Sequence, residues 1–235
     1  MWRQAGTHVK NGIAAATTRD GSCSPRRSDR AMPSPIRLAI FDMDDVLCHY
    51  DRDRRLAELS RLSGRSINEI LTDIWASGFE DRADAGAMDA ETYLSGFGER
   101  LGYAITRDEW VEARRLGMVP FPDSLALLAR VKEKATVAVL TNNGFLTGEE
   151  IDRLFPGLRH LVDDRVFVSA RFGTKKPDPE IYRRLCAEFG VAPEEAFFTD
   201  DKPWNVAGAV KAGLEGHVFD GAEGLRRALN RFALV

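Results

Sequence analysis

Cysteine is scarce in this chain. Three occur in 235 residues, at Cys23, Cys48 and Cys186. An odd number at such wide spacing is neither a disulfide framework nor a zinc motif, and a reducing cytoplasm is the compartment it fits. Histidine is scarce too. His8, His49, His160 and His217 form no HxxxH pair, so no histidine metal centre is expected. His49 lies just past an acidic motif, where an ordinary loop role is expected. No apolar run approaches the ~18–20 uninterrupted residues of a spanning helix. Neither sign of charge dominates, since the formal net charge is −3. Membrane and nucleic-acid partners are therefore not expected.

What is present is globular. Hydrophobic residues make up 44% and charged residues 29%, which excludes a fully disordered chain or a collagen. The length suits one large domain, or a domain with a small partner. The mild net charge conceals a split. Residues 1–31 hold six basic against two acidic residues, so the rest of the chain carries −7. This basic tail has no apolar period and no secretory apolar core, and it is expected to be disordered. An extension without function, upstream of Met32, is preferred to an organelle transit peptide.

Ordered structure is expected from Ile36. Leu38 to Phe41 is a short apolar run, the pattern of a strand buried on both faces. Similar runs follow at Thr136 to Leu140, Val166 to Val168 and Ala196 to Phe198, with a weaker one at His217 to Phe219. Helical patterns separate them. One starts near Pro179, aligns Ile181, Leu185 and Phe189, and stops at Gly190. Another covers Trp204 to Ala212 and stops at Gly213, and a third carries Leu225 and Leu229. Strand–helix alternation implies an α/β fold with a doubly wound parallel sheet. Residues 51–119 interrupt it with helix after helix. Ser66 to Glu69 and Thr106 to Glu109 are capping boxes, and Tyr93, Leu94, Phe97 and Leu101 mark a helix between them. This reads as a small all-helical cap domain, 51–119, inserted into a core of 32–50 and 120–235. Its aromatics are expected in its own core. Ligands bind at the carboxyl ends of strands in such sheets, so the insert would act as a lid.

The chemistry-bearing residues fall at those strand ends. After the first strand come Asp42 and Asp44, which point the same way on an extended backbone. Clustered carboxylates repel unless a cation or proton lies between them, and Mg²⁺ with its oxygen preference is the simplest answer. The second strand ends in Thr141-Asn142-Asn143-Gly144, whose hydroxyl, amide and backbone N–H groups suit phosphoryl oxygens. The third leads to Lys176, held next to Pro177 and just before a helix. The fourth ends in the acidic pair Asp200 and Asp201.

This order of motifs resembles the haloacid dehalogenase-like superfamily of phosphotransferases. The resemblance rests on Asp42-Met43-Asp44-Asp45-Val46, on Thr141 and Asn142, on Lys176 in Lys-Pro-Asp-Pro, and on Asp200, Asp201, Asn205 and Gly213. It covers Arg37 to about Phe232. It implies a Rossmann-like core, with a helical cap between the first two motifs. It also implies that Asp42 is the nucleophile that forms an aspartyl-phosphate, and that Asp44 is the acid and base. Thr141, Asn142 and Lys176 would hold the phosphoryl oxygens. Mg²⁺ would be held by Asp42, the backbone carbonyl of Asp44, Asp201 and, directly or through water, Asp200. Dehalogenases lack an acid at the second position, so Asp44 favours phosphate esters. Asp45 departs from the family, where many members have Gly; Asp tolerates unusual turn geometry better than most residues.

The segment Gly78 to Arg82, Gly86 and the Lys-Lys-Pro-Asp-Pro-Glu-Ile-Tyr run resemble bacterial glucose-1-phosphate-type phosphatases. That similarity implies that Glu80, Asp81 and Arg82 reach substrate hydroxyls, although a solvated helix end is an equal reading. The expected activity is Mg²⁺-dependent hydrolysis of a small-molecule phosphate ester by a monomer or dimer. The alternatives are a phosphomutase of the β-phosphoglucomutase type and a receiver-like module phosphorylated on aspartate.

Overall fold

The computed structural model describes residues 35–235. The basic tail expected at 1–31 lies outside them. Five parallel strands form the main sheet: β1 (Leu38–Phe41), β4 (Thr136–Thr141), β5 (Val166–Val168), β6 (Ala196–Asp200) and β7 (Glu215–Val218). The spatial order is β5-β4-β1-β6-β7, with β1 in the centre. All four residues of β1 are 0% exposed, as a strand covered on both faces requires.

Alternate residues divide the core in two. Leu38, Ile40, Leu140 and Phe198 pack against α10 (Pro179–Glu188) and α11 (Pro203–Ala212). Ala39, Phe41, Val139 and Phe197 pack against α6 (Pro122–Val131), α9 (Leu158–Val162) and α12 (Ala222–Asn230). Two short helices, α7 (Phe145–Glu149) and α8 (Ile151–Leu154), follow β4. Gly213 caps α11 in the left-handed region, as its place after Ala212 predicts. The last strand departs from expectation, running Glu215–Val218 rather than His217 to Phe219. It is an edge strand and partly exposed, so burial imposes no continuous apolar run on it. The helix from Pro179 also ends earlier than expected, at Glu188, leaving Phe189 half-buried.

The insertion opens and closes on a hairpin that the sequence reading missed. β2 (Cys48–Tyr50) pairs antiparallel with β3 (Met118–Pro120), placing Tyr50 opposite Met118. Three-residue strands, one containing proline, carry no usable period. Between them lie α1 (Arg52–Ser63), α2 (Ile67–Ile70), a π-helical turn (Leu71–Ala76), α3 (Phe79–Asp84), α4 (Ala90–Leu101) and α5 (Arg107–Arg115). Both capping boxes form. The insert centres a third apolar cluster, in which Leu59, Ile74, Phe97 and Trp110 are buried and which Leu146 of α7 and Leu154 of α8 complete. Its aromatics are mostly core, and Tyr93 stacks on Phe79 with ring centroids 5.3 Å apart. Among the described residues no helix is long and apolar enough to cross a membrane.

Candidate active site

The central position of β1 brings three motifs to one edge. Asp42 follows β1, Thr141 ends β4 and Asp200 ends β6, on adjacent strands. Asp42 is buried. Its Oδ1 accepts from the Met43 N–H at 2.8 Å and lies 2.7 Å from Lys176 Nζ. Burial pushes the Asp42 carboxyl well above its ordinary pKa, against the opposing pull of Lys176.

Lys176 is the hub of the floor. Its ammonium also lies 2.7 Å from Asp200 Oδ2 and donates to the Leu140 carbonyl at 3.0 Å. Burial alone would lower its pKa, but Asp42 and Asp200 outweigh that and leave it raised. Asp200 has no exposed surface, and both oxygens are engaged by Asn205, with the Lys202 N–H donating to Oδ1. One oxygen each of Asp42, Asp200 and Asp201 lie within 4.8 Å of one another. Burial also raises the pKa of Asp201, while Lys202 Nζ at 2.6 Å opposes it.

Thr141 Oγ1 accepts from Asn143 Nδ2 at 2.7 Å. Asn142 does something else. Its side-chain amide donates to the Lys176 carbonyl at 2.8 Å and accepts from the Lys176 N–H at 2.9 Å. It therefore ties the lysine loop to the end of β4, and as it lines the cavity its second amide N–H remains for the expected phosphoryl oxygen. Asp45 occupies the left-handed region with φ 60°, the conformation that makes glycine common there. Its Oδ1 accepts from the Tyr50 N–H at 3.1 Å, which stabilises the turn.

The helical insert roofs a cavity of about 440 Å³ over this floor. Glu80 and Asp81 line it; Glu80 accepts from the Tyr93 hydroxyl at 2.8 Å and Asp81 pairs with Lys175. Arg82 does not line it. Its guanidinium is exposed and turns back to the Ser77 carbonyl at 3.4 Å, beside Phe79 and Arg100 on another surface. The expected role of Arg82 at substrate is thus corrected: one helical step past Asp81 puts it on the outer face of α3. His49 also lies outside the lining, hydrogen-bonded to Asp45 at 3.1 Å.

Two buried arginines in the roof were not foreseen. Arg55 Nη1 donates to the Tyr50 hydroxyl at 3.1 Å, with its Cζ 5.2–5.5 Å from the Trp75, Phe97 and Trp110 rings. Arg114 Nη2 donates to Asp44 Oδ2 at 3.0 Å. The signal for both was an arginine on an apolar stripe: Arg55 with Leu59, and Arg114 four residues after Trp110. Asp84 also lines the cavity, and burial pushes its carboxyl well above the ordinary value, Glu80 adding to the effect.

A profile described as haloacid dehalogenase-like hydrolase matches residues 36–213. The chain belongs to that family. A phosphatase of Mycobacterium tuberculosis is 29% identical over 191 residues, 79% of this chain and 88% of that protein. A D-ribitol-5-phosphate phosphatase of Bacteroides thetaiotaomicron is 24% identical over 186 residues, 77% and 90% respectively. A solved family enzyme of the same organism, in complex with magnesium and inorganic phosphate, superposes with a TM-score of 0.66 at 23% identity, covering 77% of this chain and 93% of that one. The hydrolase is a phosphoric monoester hydrolase by these relationships. The structure brings Asp42, Thr141, Lys176, Asp200 and Asp201 of the hydrolase together at one strand edge. It turns the Asp44 side chain toward the insert, outside the acidic cluster that could hold a metal.

Proposed function

We propose that the hydrolase cleaves small phosphorylated metabolites, sugar phosphates foremost, through an aspartyl-phosphate on Asp42 and with Mg²⁺ as cofactor. One observation carries the reading. A buried carboxylate, Asp42, shares the Lys176 ammonium with Asp200 at the floor of a roofed cavity of about 440 Å³.

The chemistry follows from the partners. Asp42 Oδ1 is locked by Met43 and Lys176, which leaves Oδ2 to attack phosphorus. A P–O bond forms to Asp42 and the ester P–O bond breaks. Asp44 gives a proton to the departing alkoxide, then takes one from the water that attacks the phosphorylated Asp42. Inorganic phosphate leaves and the Asp42 carboxylate is restored. Lys176 and the Thr141 hydroxyl offset charge on the phosphoryl oxygens of a loose transition state.

The donor set fits a hard divalent cation: three carboxylates with oxygens within 4.8 Å, two of them with pKa values raised by burial. Asp42 and Asp201 would hold the ion with the Asp44 backbone carbonyl, and Asp200, whose oxygens are already engaged, would order the group. When bound, Mg²⁺ supplies positive charge to the phosphoryl oxygens. The insert, read as a cap domain, would exclude water from the floor. Its lining supports a hydroxyl-rich leaving group, since Glu80 and Asp84 bring carboxyl groups to it beside Trp75 and Tyr50. A cytoplasmic site of action fits this reading.

The test is phosphate release from a panel of phosphorylated metabolites with Mg²⁺ and with EDTA. EDTA removes activity and Mg²⁺ restores it. Asp42→Asn lowers turnover by at least ~10³-fold. Near-normal rates for this variant on an aryl phosphate would sink the covalent mechanism. Conversion of a hexose 1-phosphate to the 6-phosphate without phosphate release would mark a mutase instead.

A further inference from the structure

Asp44 is held from the insert and the hairpin. Its Oδ2 accepts from Arg114 Nη2 at 3.0 Å, and its Oδ1 lies 3.8 Å from the Cys48 thiol of β2, a weak donor. Asp42, two residues away, is held by Lys176 of the core. The two aspartates of the first motif therefore take orders from different parts of the molecule.

Arg114 is an expensive way to fill its position. It stands on the apolar stripe of α5, its side chain is 5% exposed, and its Nε is buried without a partner among the described residues. Its Cζ lies 4.8 Å from the centroid of the Tyr50 ring. An unpartnered buried donor destabilises the fold, and an apolar side chain of similar length would avoid that and the desolvation of the charge. Packing alone does not call for an arginine here. What the arginine adds is one directed bond to Asp44. The contact uses a single nitrogen on a single oxygen, so Oδ1, held only by the weak Cys48 thiol at 3.8 Å, is the oxygen left to meet a leaving-group oxygen.

We propose that Arg114 is a positioning residue for proton transfer. It fixes Asp44 by Oδ2 so that Oδ1 faces the scissile oxygen, and so makes proton transfer depend on the insert being seated over the sheet. The proton passes from the Asp44 carboxyl to the alkoxide, and Arg114 gains and loses none. The inference rests on the reading of Asp44 as acid and base given above.

The test separates leaving groups. An alkyl phosphate needs a proton on its departing oxygen, whereas p-nitrophenolate leaves without one. Arg114→Met and Arg114→Lys in the full chain are assayed with Mg²⁺ on the best alkyl substrate and on p-nitrophenyl phosphate, with melting temperatures alongside. Arg114→Met is expected to lower the alkyl-to-aryl ratio of kcat by about 100-fold, the usual share of a general acid. KM for the alkyl substrate changes less, and Arg114→Lys recovers part of the ratio. Equal losses on both substrates, or a change in KM alone, would show a merely structural role and overturn the proposal. If the Met variant does not fold, the Lys variant decides by the same ratio. Asp44→Asn keeps the two levels apart. A ratio that Asp44→Asn leaves unchanged removes the acid–base reading itself, and the proposal with it. A ratio lost in Asp44→Asn but kept in both Arg114 variants removes the proposal alone.

Discussion

At the scale of single residues, the floor and the roof of the site behave differently. Asp42, Thr141, Asp200 and Asp201 stand where a strand ends, so a run of apolar residues followed by a polar break reveals them, while Lys176 is marked by the proline and helix start that follow it. Asn142 shows the limit of that logic. Its address puts it at phosphate, yet its amide also braces the Lys176 backbone, a second role that no local pattern announces. Arg82 shows the same limit on a helix, where a step of one residue turns a side chain through ~100°. The contrast with Glu80 is testable. Glu80→Ala is expected to raise KM for a polyol or sugar phosphate by about 5–10-fold, the worth of one hydrogen bond of about 1 kcal/mol. Arg82→Ala, outside the cavity, leaves KM within about twofold. Steady-state kinetics on one substrate settles it, and a larger effect for Arg82 would overturn its placement on the outer face.

At the scale of elements, the helix that follows the second acidic pair is seated on the lysine loop. A Cβ at Gly208, in the middle of α11, would lie 2.1 Å from the Pro177 carbonyl oxygen. Ordinarily Gly→Ala inside a helix gains about 0.5–1 kcal/mol. Here the contact is with backbone, and overpacking of about 1–3 kcal/mol decides the sign. Gly208→Ala is therefore expected to lower the melting temperature. It should also lower kcat, because the loop it pushes carries Lys176. Thermal denaturation and phosphate release check both, and a stabilised variant would show that α11 slides freely. Local grammar made several elements legible. Ser66 with Glu69 and Thr106 with Glu109 cap their helices as read, because a capping box is complete within four residues. The β2–β3 hairpin escaped, because it pairs Cys48 with Pro120 across the whole insert.

At the scale of the whole molecule, the acidic cluster links cation binding to folding. Oxygens of Asp42, Asp200 and Asp201 converge only when β1 and β6 lie side by side. A cation held there binds the folded chain and not the unfolded one. Mg²⁺ at 100 times its Kd is expected to add about 2.7 kcal/mol of stability, a rise of about 5–10 °C in Tm for a chain of this size. Asp201→Asn is expected to abolish that rise. Melting curves with Mg²⁺ and with EDTA test it, and an unchanged rise in the variant would take Asp201 out of the ligand set.

The amino-acid sequence by itself determined the parallel sheet, the helical interruption after its first strand and the acids, hydroxyl and lysine of the floor. Each is written in a local pattern, because apolar runs, capping boxes and strand-end polar breaks act over a few residues. Only the tertiary structure decided which side chains form the roof. Arg55 and Arg114 read as oddities on apolar helix faces until the insert folds back over β1 and brings Arg114 to Asp44. The direction in which those side chains point depends on helix packing across long separations, and no short pattern records it.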